Sequence, residues 1–278
     1  VSGTFGARLA DAVTARGPLC VGIDPHAPLL ERWGLPDSPE GLARFTDAVV
    51  DALAGSVAVL KPQLAFYERH GSRGLAVLED AVERARAAGA LVLLDAKRGD
   101  IGSTMDAYAD YLRPEHPLHV DAMTVSPFLG PGSLQPAVDT ARQHGGGLFV
   151  LARTSNPDAA TFQHAVLADA AGGRSVAQAV VDTVGRWNAE DHGAVPGSFG
   201  VVVGATLREM DVDLDGLGGP VLAPGLGAQG GSVADLRRLF GTGRVVVVPT
   251  VSRDVLAAGP DAAALRAAAD RWTEELAG

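Results

Sequence analysis

The 278-residue sequence has one cysteine, Cys20, and only two lysines, Lys61 and Lys97, among its 23 basic residues. A lone cysteine excludes an internal disulfide and points to a reducing compartment. Lying in the apolar run LCVGI, it reads as inert core. No run of eighteen apolar residues occurs, so no membrane-spanning helix is expected. The opening residues VSGTFGARLADAV lack the charged-then-apolar layout of a secretory leader, and a cytoplasmic protein is expected. Aromatics make up 5%, and Trp33, Trp187 and Trp272 are too scattered to form a base-stacking platform. Positive charge is also short. A net charge of −10 speaks against nucleic-acid binding and against a basic membrane-surface protein. It still permits an anionic small molecule, because a local positive cluster outweighs a distant average.

The scarcity of lysine is itself a signal. Arginine keeps its proton near neutral pH, whereas lysine is a compact point charge that releases one more readily. Two lysines surviving a strong bias toward arginine are candidates for work that arginine cannot do.

What remains is globular composition, with 47% hydrophobic and 20% charged residues. Short β-rich runs alternate with helical segments along the whole chain. The strands are LCVGI, VAVLKP, LVLLDA, HVDAMTV, GLFVLAR, FGVVVGA, PVLAP and RVVVVPT. The helical segments include GLAVLEDAVERARAAG, SLQPAVDTARQHG, SVAQAVVDTVGRWNAED and the closing DAAALRAAADRWTEELAG. Such alternation implies right-handed βαβ units and a parallel sheet. Eight units fit an α/β fold, a single (β/α)₈ TIM barrel over residues 1–278; an open doubly wound sheet is the rival. Three connections run long: Pro25–Gly41, Ser155–Arg174 and Leu207–Gly219.

In a barrel, active sites gather where the strands end. The third strand ends in DAKRGDIGST, with Asp95, Lys97 and Asp100 close together. Side chains alternate along a strand, so Asp95 and Lys97 share a side. Lys61 ends the neighbouring strand. Acids alternating with ammonium groups favour charged lysines, which suits proton donation to carbon better than Schiff-base chemistry. The competing reading is an ion-pair network plugging the barrel end. Asp24 follows the first strand, and TSNP, with Ser155, follows the fifth. The seventh runs into APGLGAQGGS and a helix, and the eighth into PTVSRD with Arg253. Glycine-rich backbone, a helix N-terminus and an arginine after strands seven and eight suit a phosphate.

Three motifs mislead. Gly225, Gly227 and Gly230 match a dinucleotide fingerprint but follow the seventh strand, which favours a mononucleotide or sugar phosphate. DVDLDG starts like a calcium loop, but its twelfth position is Leu222, so solvated loop acids are expected. The histidines have no zinc spacing, and no metal or other cofactor is expected.

The assembled residues resemble the orotidine 5′-phosphate decarboxylase family, in its longer bacterial subclass. DAKRGDIGST is similar to the family's D-x-K-x-x-D-I-x-x-T signature. The lysine after strand two, serine after strand five, PGLGAQGG and arginine after strand eight complete an ordered set covering nearly the whole chain. The resemblance implies cofactor-independent decarboxylation giving UMP, with Lys97 protonating C6 and Asp95 beside the substrate carboxylate. Lys61 and Asp100 would complete the array. Asp100, Ile101 and Thr104 would reach the neighbouring subunit's site, implying a homodimer with shared active sites. Asp24 and Lys61 would contact the ribose and Ser155 the pyrimidine edge. Pro224, Gly225, Gly227, Gln229, Gly230 and Arg253 would hold the phosphate, with Ser252 standing in VPTVSR where the family usually has a glycine before the arginine. The alternatives are a metal-dependent sugar-phosphate decarboxylase or aldolase of the same barrel type and a non-catalytic nucleotide-binding barrel.

Overall fold

The computed structural model describes residues 3–168, 173–191, 196–241 and 245–278. Eight parallel strands close into a barrel in chain order. They are β1 (Cys20–Ile23), β2 (Val59–Pro62), β3 (Leu91–Arg98), β4 (Ala122–Val125), β5 (Gly147–Arg153), β6 (Phe199–Val203), β7 (Val221–Pro224) and β8 (Val247–Val251). The expected eighth run began at Arg244, which lies outside the described residues, as do residues 169–172 of the long connection Ser155–Arg174.

The strands are apolar on both faces because both are covered. One face meets the outer helices and the other fills the barrel. Cys20, Val59, Leu91, Leu93, Ala122, Phe149, Val202, Leu222 and Val248 form the inner cluster. Val21, Leu60, Val92, Leu94, Met123, Val150, Val201 and Val221 belong to the outer one. Cys20 is fully buried, and that burial pushes its thiol up to about 12, so it is inert core as its apolar setting predicts.

Helices Pro39–Leu53, Gly71–Ala87, Gly102–Ala109, Gln135–His144, Val176–Glu190, Val233–Phe240 and Ala262–Ala277 carry the chain between strands or close it. The connection from β6 to β7 has no helix. Asp and Gly cluster from Asp211 to Gly219, and the segment turns instead. Asp211 is less solvated there than its acidic run predicts. It pairs with Arg153 Nε through both oxygens, at 3.0 and 2.9 Å, and with His164. The connection Pro25–Gly41 is also partly ordered, holding a short helix, Ala27–Arg32.

The N-terminal helix Phe5–Arg16 closes the lower end of the barrel. Thr4 caps it by accepting the Ala7 N–H. Phe5, Leu9 and Ala12 join the inner cluster, and the Phe5 ring meets Phe149 edge-on, centroids 6.0 Å apart. Burying Phe5 and Leu9 stabilises the closure by about 1.5–3 kcal/mol each. Gly147 is required beneath it, because a Cβ there would sit 2.2 Å from the Phe5 ring. Arg8 pairs with buried Asp121 at the foot of β4, which also accepts the Val92 N–H at 2.9 Å. Burial, reinforced by Arg86, pushes neighbouring His119 down to about 4, so its neutral ring accepts an Arg86 N–H.

Candidate active site

With its lower end plugged, the barrel opens only where the strands end, and the inner alternation continues upward into that opening. Two residues above inner-facing Val59 comes Lys61, then Gln63. Above Leu93 come Asp95 and Lys97, above Ala122 Thr124, and above Val248 Thr250 and Ser252. All of these line one cavity of about 400 Å³, together with Asp24, His26, Thr154, Pro224, Gly225, Gln229 and Arg253. The core and the site are one pattern, apolar at depth and polar at the mouth.

At its centre Asp95 accepts four hydrogen bonds. Oδ2 takes Lys61 Nζ at 3.0 Å and Gln63 Nε2 at 2.9 Å. Oδ1 takes Lys97 Nζ at 2.6 Å and Thr124 Oγ1 at 2.8 Å. Each oxygen thus receives one ammonium and one neutral donor, which fills the acceptor capacity of a carboxylate. Burial alone would raise the Asp95 pKa, but the two lysines outweigh it and hold the carboxyl well below its usual range. For Lys61 burial pulls downward, and Asp95 followed by Asp24 reverses the sign and lifts it above an ordinary lysine. The buried pair is therefore fixed as ions. Lys61 is 6% exposed at its side chain and Lys97 46%, so Lys97 offers the accessible ammonium.

Simple alternation does not carry β3 to Lys97. The β3–β4 register steps from Leu94↔Met123 to Arg98↔Val125, placing three β3 residues opposite Thr124 alone. Lys97 sits in this bulge with φ +49°, the sole left-handed non-glycine among the described residues. That conformation costs a non-glycine residue about 1–2 kcal/mol, and such strain concentrates at functional positions. Gly99 completes the turn, since a Cβ there would lie 2.3 Å from the Ser126 carbonyl oxygen.

The wall after β7, where an anion was expected, is built differently from the sequence expectation. The helix Val233–Phe240 has its N-terminus closed by a capping box. Ser232 Oγ accepts the Asp235 N–H at 3.1 Å, and Asp235 accepts the Ser232 N–H at 3.1 Å. Its dipole end is answered within the chain. The cavity wall is instead the turn itself, Pro224, Gly225, Leu226, Ala228 and Gln229, with Arg253 from the end of the neighbouring β8. Gly227 packs on Asp254 and Trp272 rather than lining the cavity, and Gly230 closes the turn by donating to the Gly227 carbonyl at 2.7 Å. Asp24 after β1 and Ser252 after β8 also line the cavity, and Asp24 Oδ1 and Ser252 Oγ are buried without a hydrogen-bond partner.

Besides Gly227 and Gly230, four more expected site residues lie outside their own chain's cavity. Asp100 accepts its neighbour Ile101 N–H at 2.8 Å, and Ile101 and Thr104 are exposed. Ser155 is exposed and packs against Gly204, while Thr154 takes the lining position. Sequence reasoning missed Gln63, Thr124, His26 and Thr250. Gln63 had a readable signal, two residues beyond Lys61 on the same face. Among the described residues, no group of three His, Cys, Asp or Glu side chains is arranged to hold a metal ion.

Known proteins resemble this chain over nearly its whole length. The family model described as Orotidine 5′-phosphate decarboxylase / HUMPS family matches residues 17–268. An orotidine 5′-phosphate decarboxylase of Salinispora arenicola is 62% identical over 270 residues, covering 96% of this chain and 95% of the relative. That of Streptomyces coelicolor is 60% identical over 274 residues, covering 98% and 96%. A solved Streptomyces avermitilis chain, provisionally named orotidine 5′-phosphate decarboxylase, superposes with TM-score 0.93 at 58% identity, covering 99% of this chain and 95% of that one. The solved OMP decarboxylase of Leishmania donovani gives 0.73 at 30% identity, covering 99% and 98%. Matched by the family model over all eight strands and by relatives at this identity, the chain belongs to the orotidine 5′-phosphate decarboxylase / HUMPS family.

Proposed function

We propose that the protein converts orotidine 5′-phosphate to UMP without a cofactor, in the cytoplasm, as the closing step of pyrimidine nucleotide synthesis. One observation carries the reading. A carboxylate locked between two ammonium groups shares its cavity with an arginine and a glycine-rich turn. The turn, Gln229 and Arg253 hold the phosphate, and Asp24 with Lys61 addresses the ribose. The pyrimidine carboxylate then lies beside Asp95. As the C6–carboxylate bond breaks, carbon dioxide leaves and its electron pair stays on C6. Lys97, charged and already oriented, stabilises that pair and then transfers a proton from Nζ to C6. Its half-exposed side chain recovers the proton from water.

The array has three members in one chain, and Asp100 is the fourth. Asp100, Ile101 and Thr104 stand outside their own cavity on an outer rim, which favours their serving a second copy in a homodimer. Exposed Ile101, Phe128 and Leu129 supply apolar surface for such a contact. Mixing inactive Lys97→Ala and Asp100→Ala proteins should then restore activity, because a hybrid dimer contains one intact site. Random pairing predicts recovery of about a quarter of wild-type activity. No recovery after confirmed subunit exchange would remove the shared site.

Direct assay decides the main reading. Orotidine 5′-phosphate should be consumed, followed by ultraviolet absorbance, with UMP as product and a rate unchanged by EDTA. Turnover abolished by EDTA and restored by magnesium would instead indicate a metal-dependent sugar-phosphate type of barrel. Four donors on Asp95 and an ammonium at Lys61 argue against that, since they occupy the lone pairs a cation would need. Tight UMP binding without turnover would indicate a nucleotide-binding barrel.

A further inference from the structure

We propose that Thr124 positions the proton-donating ammonium of Lys97, holding both the lysine backbone and its carboxylate partner with a single hydroxyl. The inference rests on the decarboxylase reading of the cavity. Where β3 carries Asp95, Ala96 and Lys97, β4 offers Thr124 alone, so the regular ladder is interrupted there. Thr124 Oγ1 accepts the Lys97 N–H at 3.0 Å and donates to Asp95 Oδ1 at 2.8 Å. That same oxygen takes Lys97 Nζ at 2.6 Å. The contacts close a ring that begins at the main-chain nitrogen of Lys97 and ends at its ammonium. Because a backbone N–H can only donate, the hydroxyl must accept there and spend its one proton on Asp95. The direction of every bond in the ring is thereby fixed.

Thr124 is 1% exposed, so water does not substitute freely for the hydroxyl. It reaches the reaction through Lys97 and Asp95, and so is a positioning residue. Gln63 and Lys61 hold the other carboxylate oxygen, Oδ2, on the side away from the Lys97 ammonium. Thr124 is the link between the left-handed backbone of Lys97 and the charge array.

Thr124→Val keeps the branched shape and deletes the hydroxyl. We expect kcat to fall roughly 10²-fold, the scale of a displaced reacting group, while KM changes less than about threefold. Thr124→Ser should keep kcat within about fivefold of wild type, because its hydroxyl makes the same two bonds. Amide exchange at Lys97 should quicken in the valine variant and stay slow in the serine variant. Wild-type kcat in Thr124→Val, a loss that falls on KM, or a loss that serine does not rescue would overturn the proposal. Should the valine variant not fold, Thr124→Ser decides alone: it must retain both kcat and a protected Lys97 amide. Failure of the wild-type protein to decarboxylate orotidine 5′-phosphate would defeat the underlying reading instead, and is a separate result.

Discussion

Lys97→Ala is expected to lose turnover by at least about 10⁴-fold, since it removes both an electrostatic stabiliser and the proton donor. The two contributions fall on one step, so no second group remains at C6 to compensate. Lys61 cannot move in, being held on the opposite oxygen of Asp95 and buried. Stability should change little, because the Lys97 side chain is half exposed and its pair with Asp95 is one contact of four. Ligand affinities should separate. UMP, which has no carboxylate, should bind as tightly as to wild type. Orotidine 5′-phosphate should bind more weakly, because its carboxylate faces Asp95 without the intervening cation. Steady-state kinetics, calorimetry with both nucleotides and a denaturant melt measure all three. Retention of more than about a tenth of the wild-type rate would remove Lys97 from the proton-donor role.

The second large effect concerns folding. Asp95→Ala should destabilise the protein by about 3–5 kcal/mol, because it leaves the Lys61 ammonium buried without its principal partner. Against a usual total of about 5–15 kcal/mol, that is a large fraction. Asp24 continues to act on Lys61 and softens the loss. The sign of the pH dependence separates this cause from simple loss of packing. In the wild type the Lys61 pKa is raised above its unfolded value. Its contribution is therefore complete below about pH 10.4 and is lost as pH rises through the folded value. In Asp95→Ala burial dominates and depresses the same group, so stability should instead improve as pH rises from neutral toward the unfolded lysine value. Urea melts at neutral and alkaline pH test this. The double variant Lys61→Met with Asp95→Leu should recover most of the stability while remaining inactive. If Asp95→Ala melted like wild type at neutral pH, the buried pair would not be the tension point inferred from its geometry.

Much of this was visible in the residues themselves. Eight short apolar runs gave the strands, and Lys61, Asp95 and Lys97 were legible because charged residues ending buried strands need a reason. Lys61 was placed by ending the adjacent strand, and alternation paired Asp95 with Lys97; all three line the cavity. At Lys97 alternation reached the correct side by an incorrect route, since the chain bulges into a left-handed turn there. A bulge depends on the register between two strands, which one strand's sequence does not contain. Thr124 was missed for the same reason: inside AMTV it is an ordinary strand residue until the bulge is placed opposite it. The closing role of Phe5–Arg16 was hidden because it depends on Gly147 and Ser198, both distant in sequence. The glycine-rich turn after β7 does line the cavity, whereas the helix N-terminus expected behind it carries a capping box of Ser232 and Asp235, readable in SVAD.

The continuous alternation from inner core to cavity has a consequence for how this barrel can change over time. Leu91, Leu93 and Asp95, with Lys97 in the bulge that follows, share one side of β3, as Val59, Lys61 and Gln63 share one side of β2. Inserting or deleting one residue low in β2 or β3 would swing every charged tip outward among the helices and drop their outer neighbours into the lumen. The charged end of each strand thus takes its aim from apolar residues deeper in the same strand.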